Sequence, residues 1–138
     1  MNEEFTSFVA DHIHDRKSFA FETTLRSEIT FEQARAARSA GFAVEMRYVA
    51  LADFVMNLER VKIRADRGGH SAPAPVLRGI YSASIRNLAR AIREMDALRV
   101  YDNSEWGAGP KLLLESSAGH LVYRAEPPPD WLQLALTG

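Results

Sequence analysis

Apolar residues recur along this chain at two periods, and the switches between them mark out its elements. From about Glu3 to Arg16, Phe5, Phe8, Val9, His12 and Ile13 fall at helical spacing and predict an amphipathic helix. Ser18 to Thr23, with its alternating aromatic and small residues, reads as a short buried strand. Thr30 followed by Gln33 has the spacing of a capping box, opening a helix that runs through Ala34, Ala37 and Arg38 and stops near Gly41. Phe42 to Ala50, carrying Val44, Met46, Tyr48 and Val49, reads as another largely buried strand. Asp53 is placed to cap a helix bearing Val55, Leu58, Val61 and Ile63, ending at Gly68-Gly69.

Ser71-Ala72-Pro73-Ala74-Pro75 is expected to be a loop, because proline removes a donor and restrains its predecessor. A long helix should follow from about Val76 to Glu94, and Leu98 to Tyr101 should form a short strand. Lys111 to Glu115 and His120 to Arg124 are spaced to pair as a hairpin across Ser116-Ser117-Ala118-Gly119. Pro127-Pro128-Pro129 then breaks the chain, and Asp130 can cap a last short helix from Trp131 to Leu136. Alternating helices and strands point to an α/β layer architecture built on a parallel sheet, with strand ends and ligands on one rim.

Composition narrows the picture. The 138 residues correspond to one domain with one continuous core. With 46% hydrophobic and 25% charged residues, this is ordinary globular composition. The formal net charge of −1 provides no global field for nucleic acid or an anionic membrane, and neither is expected as a partner. There is no cysteine, so disulfides, thiolate metal sites and cysteine nucleophiles are excluded. No apolar run is long enough for a spanning helix, and the acidic Met1-Asn2-Glu3-Glu4 does not resemble a signal peptide. A cytoplasmic location is expected.

Three blocks carry candidate chemistry, and each has a plain alternative. Glu22 should emerge at the sheet rim with Thr23 and Thr24 beside it, either to cap the next turn or to meet a ligand. Arg60, Arg64 and Arg67 share one helix face, which is either a solvated basic face balanced by Glu59 and Asp66 or a set of cations for phosphate. Asp102-Asn103-Ser104 follows an apolar strand, and all three residue types favour turns. Other patterns fail. Gly107-Ala108-Gly109-Pro110-Lys111 lacks phosphate-loop spacing, His12 and His14 are two apart, and no Gly-x-Ser-x-Gly elbow occurs.

Taken in order, Ser18-Phe19-Ala20-Phe21-Glu22-Thr23-Thr24-Leu25, Arg64-Ala65-Asp66-Arg67-Gly68-Gly69-His70 and Tyr101-Asp102-Asn103-Ser104 resemble the C-terminal two-thirds of the zeta-toxin family of P-loop kinases. The resemblance implies a three-layer parallel sheet of the P-loop kinase type, incomplete at its N-terminal, P-loop part, with a C-terminal hairpin and short helix. Residues 1–138 would form a single partial kinase domain. In that family the P-loop strand lies between the strands that here end near Thr23 and Ala50. Without it, those strands must pair with each other or leave backbone groups unpaired.

The family transfers the γ-phosphate of ATP, or of GTP, with Mg²⁺, to a small hydroxyl acceptor such as UDP-N-acetylglucosamine. By this resemblance Glu22, Thr23 and Thr24 contact the sugar-nucleotide substrate. Arg64 or Arg67 belongs to a lid over the phosphates, Gly68 and Gly69 form its hinge, and His70 touches the lid or fixes the turn. Asp102, Asn103 and Ser104 lie on the nucleotide side. Where the family carries an arginine immediately before a helical tyrosine, this chain reads Arg78-Gly79-Ile80-Tyr81, so Arg78 is the remaining candidate cation there.

No Gly-x-x-x-x-Gly-Lys-Ser/Thr occurs, and the family's P-loop lysine and substrate base have no counterpart in these residues. Phosphoryl transfer depends on positioning and electrostatics, so the chain alone is expected to be inactive and to bind neither ATP nor Mg²⁺ tightly. Three readings follow: a truncated kinase, half of a split kinase completed by a chain that supplies the P-loop segment, or a non-catalytic module that binds a sugar nucleotide or an antitoxin.

Overall fold

A computed structural model describes residues 3–50, 73–104, 107 and 109–137. In chain order these form α1 (Glu3–His14), α2 (Ile29–Ser39), β1 (Glu45–Ala50), α3 (Ala74–Glu94), β2 (Ala97–Asp102), β3 (Lys111–Ser117), β4 (His120–Arg124) and α4 (Asp130–Thr137). The helix expected from Asp53 to Gly68-Gly69 lies outside the described residues. The strands build one four-stranded open sheet in the order β1-β2-β3-β4. Only β1 and β2 run parallel; β2, β3 and β4 are successively antiparallel. The fold is mixed α/β, and this corrects the expected parallel sheet: its one parallel pair is β1–β2, and the expected C-terminal hairpin, β3–β4, is continuous with it through β2. The β3–β4 connection is a tight turn through Ala118 and Gly119, both at positive φ, and so short a link can join only antiparallel strands.

A second correction concerns Ser18 to Thr23. This segment is irregular and pairs with no strand among the described residues. Strands are held by ladder bonds to a neighbour, so an extended segment without one is placed by its side chains. Phe19 and Phe21 supply that anchorage. Phe21 meets Phe5 edge-on at 4.8 Å between ring centroids, and Phe19 lies 6.0 Å from Phe8 and 6.1 Å from Phe42. The segment is thereby tied to α1 and to the approach to β1, with Glu22, Thr23 and Thr24 exposed.

The Thr30–Gln33 capping box is not formed either. The helix opens earlier, behind Glu28, whose backbone is itself helical and whose side chain makes no capping bond. Thr30 and Gln33 therefore fall on the inner, buried face of α2. The other end follows the pattern. Gly41, at φ +94°, lets Gly41 N–H reach the Arg38 carbonyl and Phe42 N–H reach that of Ala37, the crossed bonds of a left-handed C-terminal stop.

The core sits on one face of the sheet. Leu98 and Val100 of β2 and Leu114 of β3 are fully buried against Leu88, Ala91 and Ile92 of α3 and Trp131, Leu132 and Ala135 of α4. Between them Arg99 points to the opposite face, where it pairs with Glu115 at 3.5 Å. β2 alternates from Leu98 to Val100 because successive side chains leave opposite faces. β1 follows the same rule: Met46, Tyr48 and Ala50 turn to the core side, whereas Glu45, Arg47 and Val49 are exposed. The Tyr48 hydroxyl bonds Ser84 on α3 at 2.8 Å; burial pushes its pKa up, against the opposing effect of that bond.

Helices α2 and α3 are clamped by charge. Glu28 bonds both Arg35 and Arg90, and each arginine also bonds Glu94. The Arg90 guanidinium lies 4.0 Å from the centre of the fully buried Phe31 ring, adding a cation–π contact. Hydrogen bonds from Arg90 and Arg35 hold the Glu28 carboxyl down at about 2. A carboxylate depressed in the folded state stabilises it above the ordinary pKa of 4.5, and that contribution fades as pH falls toward about 2. We expect thermal stability to decline over that interval. Glu28→Gln should start lower at neutral pH and show a flatter decline; identical pH profiles for the two proteins would contradict the clamp.

Candidate functional site

A groove of 680 Å³ runs along the outer side of β1. Phe19, Ala20, Phe21, Glu22 and Thr23 line it on one side, and Val44, Glu45, Met46, Arg47 and Val49 line it on the side of β1. Thr30, Gln33, Ala34 and Ala37 of α2 contribute its base, together with Met95. Two of those base positions are alanines, so the sequence leaves volume here that larger side chains would fill.

Thr23 fixes the Glu22 wall. Its Oγ1 accepts the Leu25 N–H at 3.1 Å and shares a 3.0 Å hydrogen bond with Thr30 Oγ1 on α2. Leu25 is buried in a left-handed conformation at φ +58°, an uncommon state for a branched apolar residue. Asn87 of α3 holds it by donating Nδ2–H to the Leu25 carbonyl at 2.8 Å. The bend after Thr24 is thus tied to α2 by one hydroxyl pair and to α3 by one amide.

Of the residues singled out by sequence, Glu22 and Thr23 line the groove, and Thr24 stands beside them at the surface without lining it. Asp102, Asn103 and Ser104 form a turn at the end of β2: Asp102 Oδ1 accepts from Ser104 N–H at 2.9 Å and from the Ser104 hydroxyl. Asn103 N–H donates to the Ala50 carbonyl at 2.9 Å, joining the C-terminal ends of the two parallel strands. Arg78 lies exposed near the start of α3 and is not among the residues lining the groove. Arg60, Arg64, Arg67, Gly68, Gly69 and His70 lie outside the described residues.

Sequence reasoning missed two contributors. Thr30 was expected as a cap but works as the anchor of Thr23. Asn87, inside a long helix, steadies the bend at Leu25, and nothing in its local pattern distinguishes it from a surface residue. Among the described residues no group of histidines and carboxylates is arranged to hold a metal ion, and His12 instead bonds the Phe8 carbonyl at 2.7 Å. No described helix is long and apolar enough to cross a membrane. No protein-family model, no curated protein and no solved structure matches this chain.

Thr23→Val removes two part-buried hydrogen bonds, from the Leu25 N–H and with Thr30, and should cost about 2 kcal/mol at roughly 1 kcal/mol each. Thr30→Val removes only the shared bond and should cost about 1 kcal/mol, and the double variant should lose little more than Thr23→Val alone. A double-mutant cycle by urea unfolding checks this. Full additivity would mean that the Thr23–Thr30 bond does not tie the groove wall to α2.

Proposed function

We propose that these residues belong to a zeta-toxin-like P-loop kinase domain whose phosphate-binding loop lies outside them. Its ancestral activity would be ATP-dependent phosphorylation of a small hydroxyl acceptor such as UDP-N-acetylglucosamine. The observation that carries this reading is the position of Glu22 and Thr23, which line one groove beside a parallel strand pair. A carboxylate and hydroxyls on a groove wall suit an acceptor rich in hydroxyl groups: the carboxylate accepts two hydrogen bonds, and the threonine hydroxyl can donate or accept. The Asp102–Ser104 turn closes the C-terminal ends of β1 and β2, the rim at which α/β sheets place their ligands.

Chemistry is another matter. No Gly-x-x-x-x-Gly-Lys-Ser/Thr occurs among the 138 residues. Mg-ATP needs a cradle of backbone amides, a lysine and a hydroxyl on the metal, and transfer needs a base on the acceptor. These residues by themselves are therefore proposed to hold the acceptor side and not to turn over. A second reading is a non-catalytic sugar-nucleotide module, favoured by the same pairing of an exposed Glu22 with a groove on a chain without the phosphate loop.

Calorimetry with UDP-N-acetylglucosamine and, separately, Mg-ATP tests the proposal. We expect saturable binding of the sugar nucleotide, weakened on the order of ten- to a hundredfold in Glu22→Ala, the loss typical of a charged hydrogen bond. We expect no comparable binding of Mg-ATP. Sugar-nucleotide binding unchanged by the substitution, or none at all from folded protein, would remove the acceptor site. Micromolar binding of Mg-ATP would contradict the missing cradle.

A further inference from the structure

The two edges of the sheet are built differently. On β4 the register with β3 slips between Glu115 and Ser116, so that Tyr123 and Leu121 face consecutive residues and Val122 is the extra one. A bulge on an edge strand disrupts the template that another strand would need. The far end of β4 is further marked by the Arg124–Glu126 ion pair at 2.9 Å. β1 has no such protection: its register with β2 is unbroken from Glu45 to Ala50. Among the described residues, no strand pairs with its outer side.

The direction of its backbone groups follows from the bonds it already makes. Val44 donates to Asp96 and accepts from Asp96 and Ala97, and Ala50 accepts from Asn103, so the even-numbered residues face β2. The N–H and C=O groups of Glu45, Arg47 and Val49 therefore point to the open edge, into the groove. Exposed polar backbone along a strand specifies its own complement, a second strand. The base of small side chains, Ala34 and Ala37, leaves room beneath it.

We propose that this groove binds an extended strand of another polypeptide, antiparallel to β1. A strand arriving from a separate chain needs no crossover, and antiparallel pairing is the more stable per residue. On the exposed face the ligand would place a basic side chain across from Glu45 and an acidic one across from Arg47, with apolar residues between them turned toward α2. We commit to a single strand rather than a whole second copy because Phe19–Thr23 lines the groove opposite β1 and bounds the space beside it. The inference stands on the backbone of β1 and competes with the kinase reading, which places the P-loop strand at this same edge.

The chain's own residues 42–50 meet the required pattern as a free peptide. Set antiparallel about Met46, its Arg47 faces Glu45 and its Glu45 faces Arg47 of the protein, and both pairs lie at hydrogen-bonding positions. The test is fluorescence polarisation of this labelled nonapeptide with the full chain. We expect saturable binding, reduced at least about tenfold by Val49→Pro in the protein. That substitution removes an outward N–H and leaves the ladder to β2 intact, as proline permits on an edge strand. Glu45→Arg in the protein should weaken binding several-fold, and a peptide carrying Arg47→Glu should restore it, which also reports the antiparallel register. No binding, or binding indifferent to both substitutions, overturns the proposal. So does a stable dimer of the chain that Val49→Pro makes monomeric, since the occupant would then be a second copy. Peptide binding without any sugar-nucleotide binding would sustain this inference while the acceptor reading fails.

Discussion

A strand must satisfy backbone groups on both of its sides, and among the described residues β1 is paired on only one. That constraint organises much of the molecule. The even-numbered residues of β1 are committed to β2, and that parallel pair is sealed at one end by Asp96 and at the other by Asn103. Everything packed against it, from Tyr48 on Ser84 to the buried leucines of β2 and β3, depends on this register. A slip of one residue would turn Glu45, Arg47 and Val49 into the core and Met46 and Tyr48 out of it.

The groove is stiff because its sides are fastened independently. The α2 base is locked to α3 by Glu28, Arg35, Arg90 and Glu94, with Arg90 covering Phe31. The Phe19–Thr23 wall is held by aromatic contacts to α1 and Phe42, and by the Thr23 hydroxyl to Thr30. These fastenings use side chains, not ladder bonds, so the wall is kept apart from β1 without becoming a strand. Glu22 is thereby displayed on a supported segment beside an open edge, an arrangement that serves either a small acceptor or a polypeptide.

Most elements were legible because their signals are local. The helical run from about Val76 to Glu94, the stop at Gly41 and the two short runs flanking Ala118-Gly119 each act within a few residues, and each is found close to where the pattern puts it. Failures came where the outcome depends on a distant partner. Ser18 to Thr23 has the alternation of a strand, but alternation cannot supply a neighbour. Thr30 and Gln33 have capping-box spacing, but burial of that face against Thr23 and the groove decides their role. The β3–β4 hairpin is legible from its short turn, whereas its pairing with β2 in one sheet joins segments that no local pattern links. Of the candidate site, Glu22 and Thr23 were singled out as the end of a strand that does not form, and the groove they line is made by residues far apart in the chain.

Residue-resolved amide exchange on the isolated chain tests the open edge most directly. Amides of Met46, Tyr48 and Ala50, directed at β2, should exchange slowly, near the rate set by global unfolding. Those of Glu45, Arg47 and Val49, directed at the groove, should exchange far faster, giving an alternating pattern along one strand. Uniform protection from Glu45 to Ala50 would mean that the outer side of β1 is already paired, and the account of an unfilled edge would be wrong.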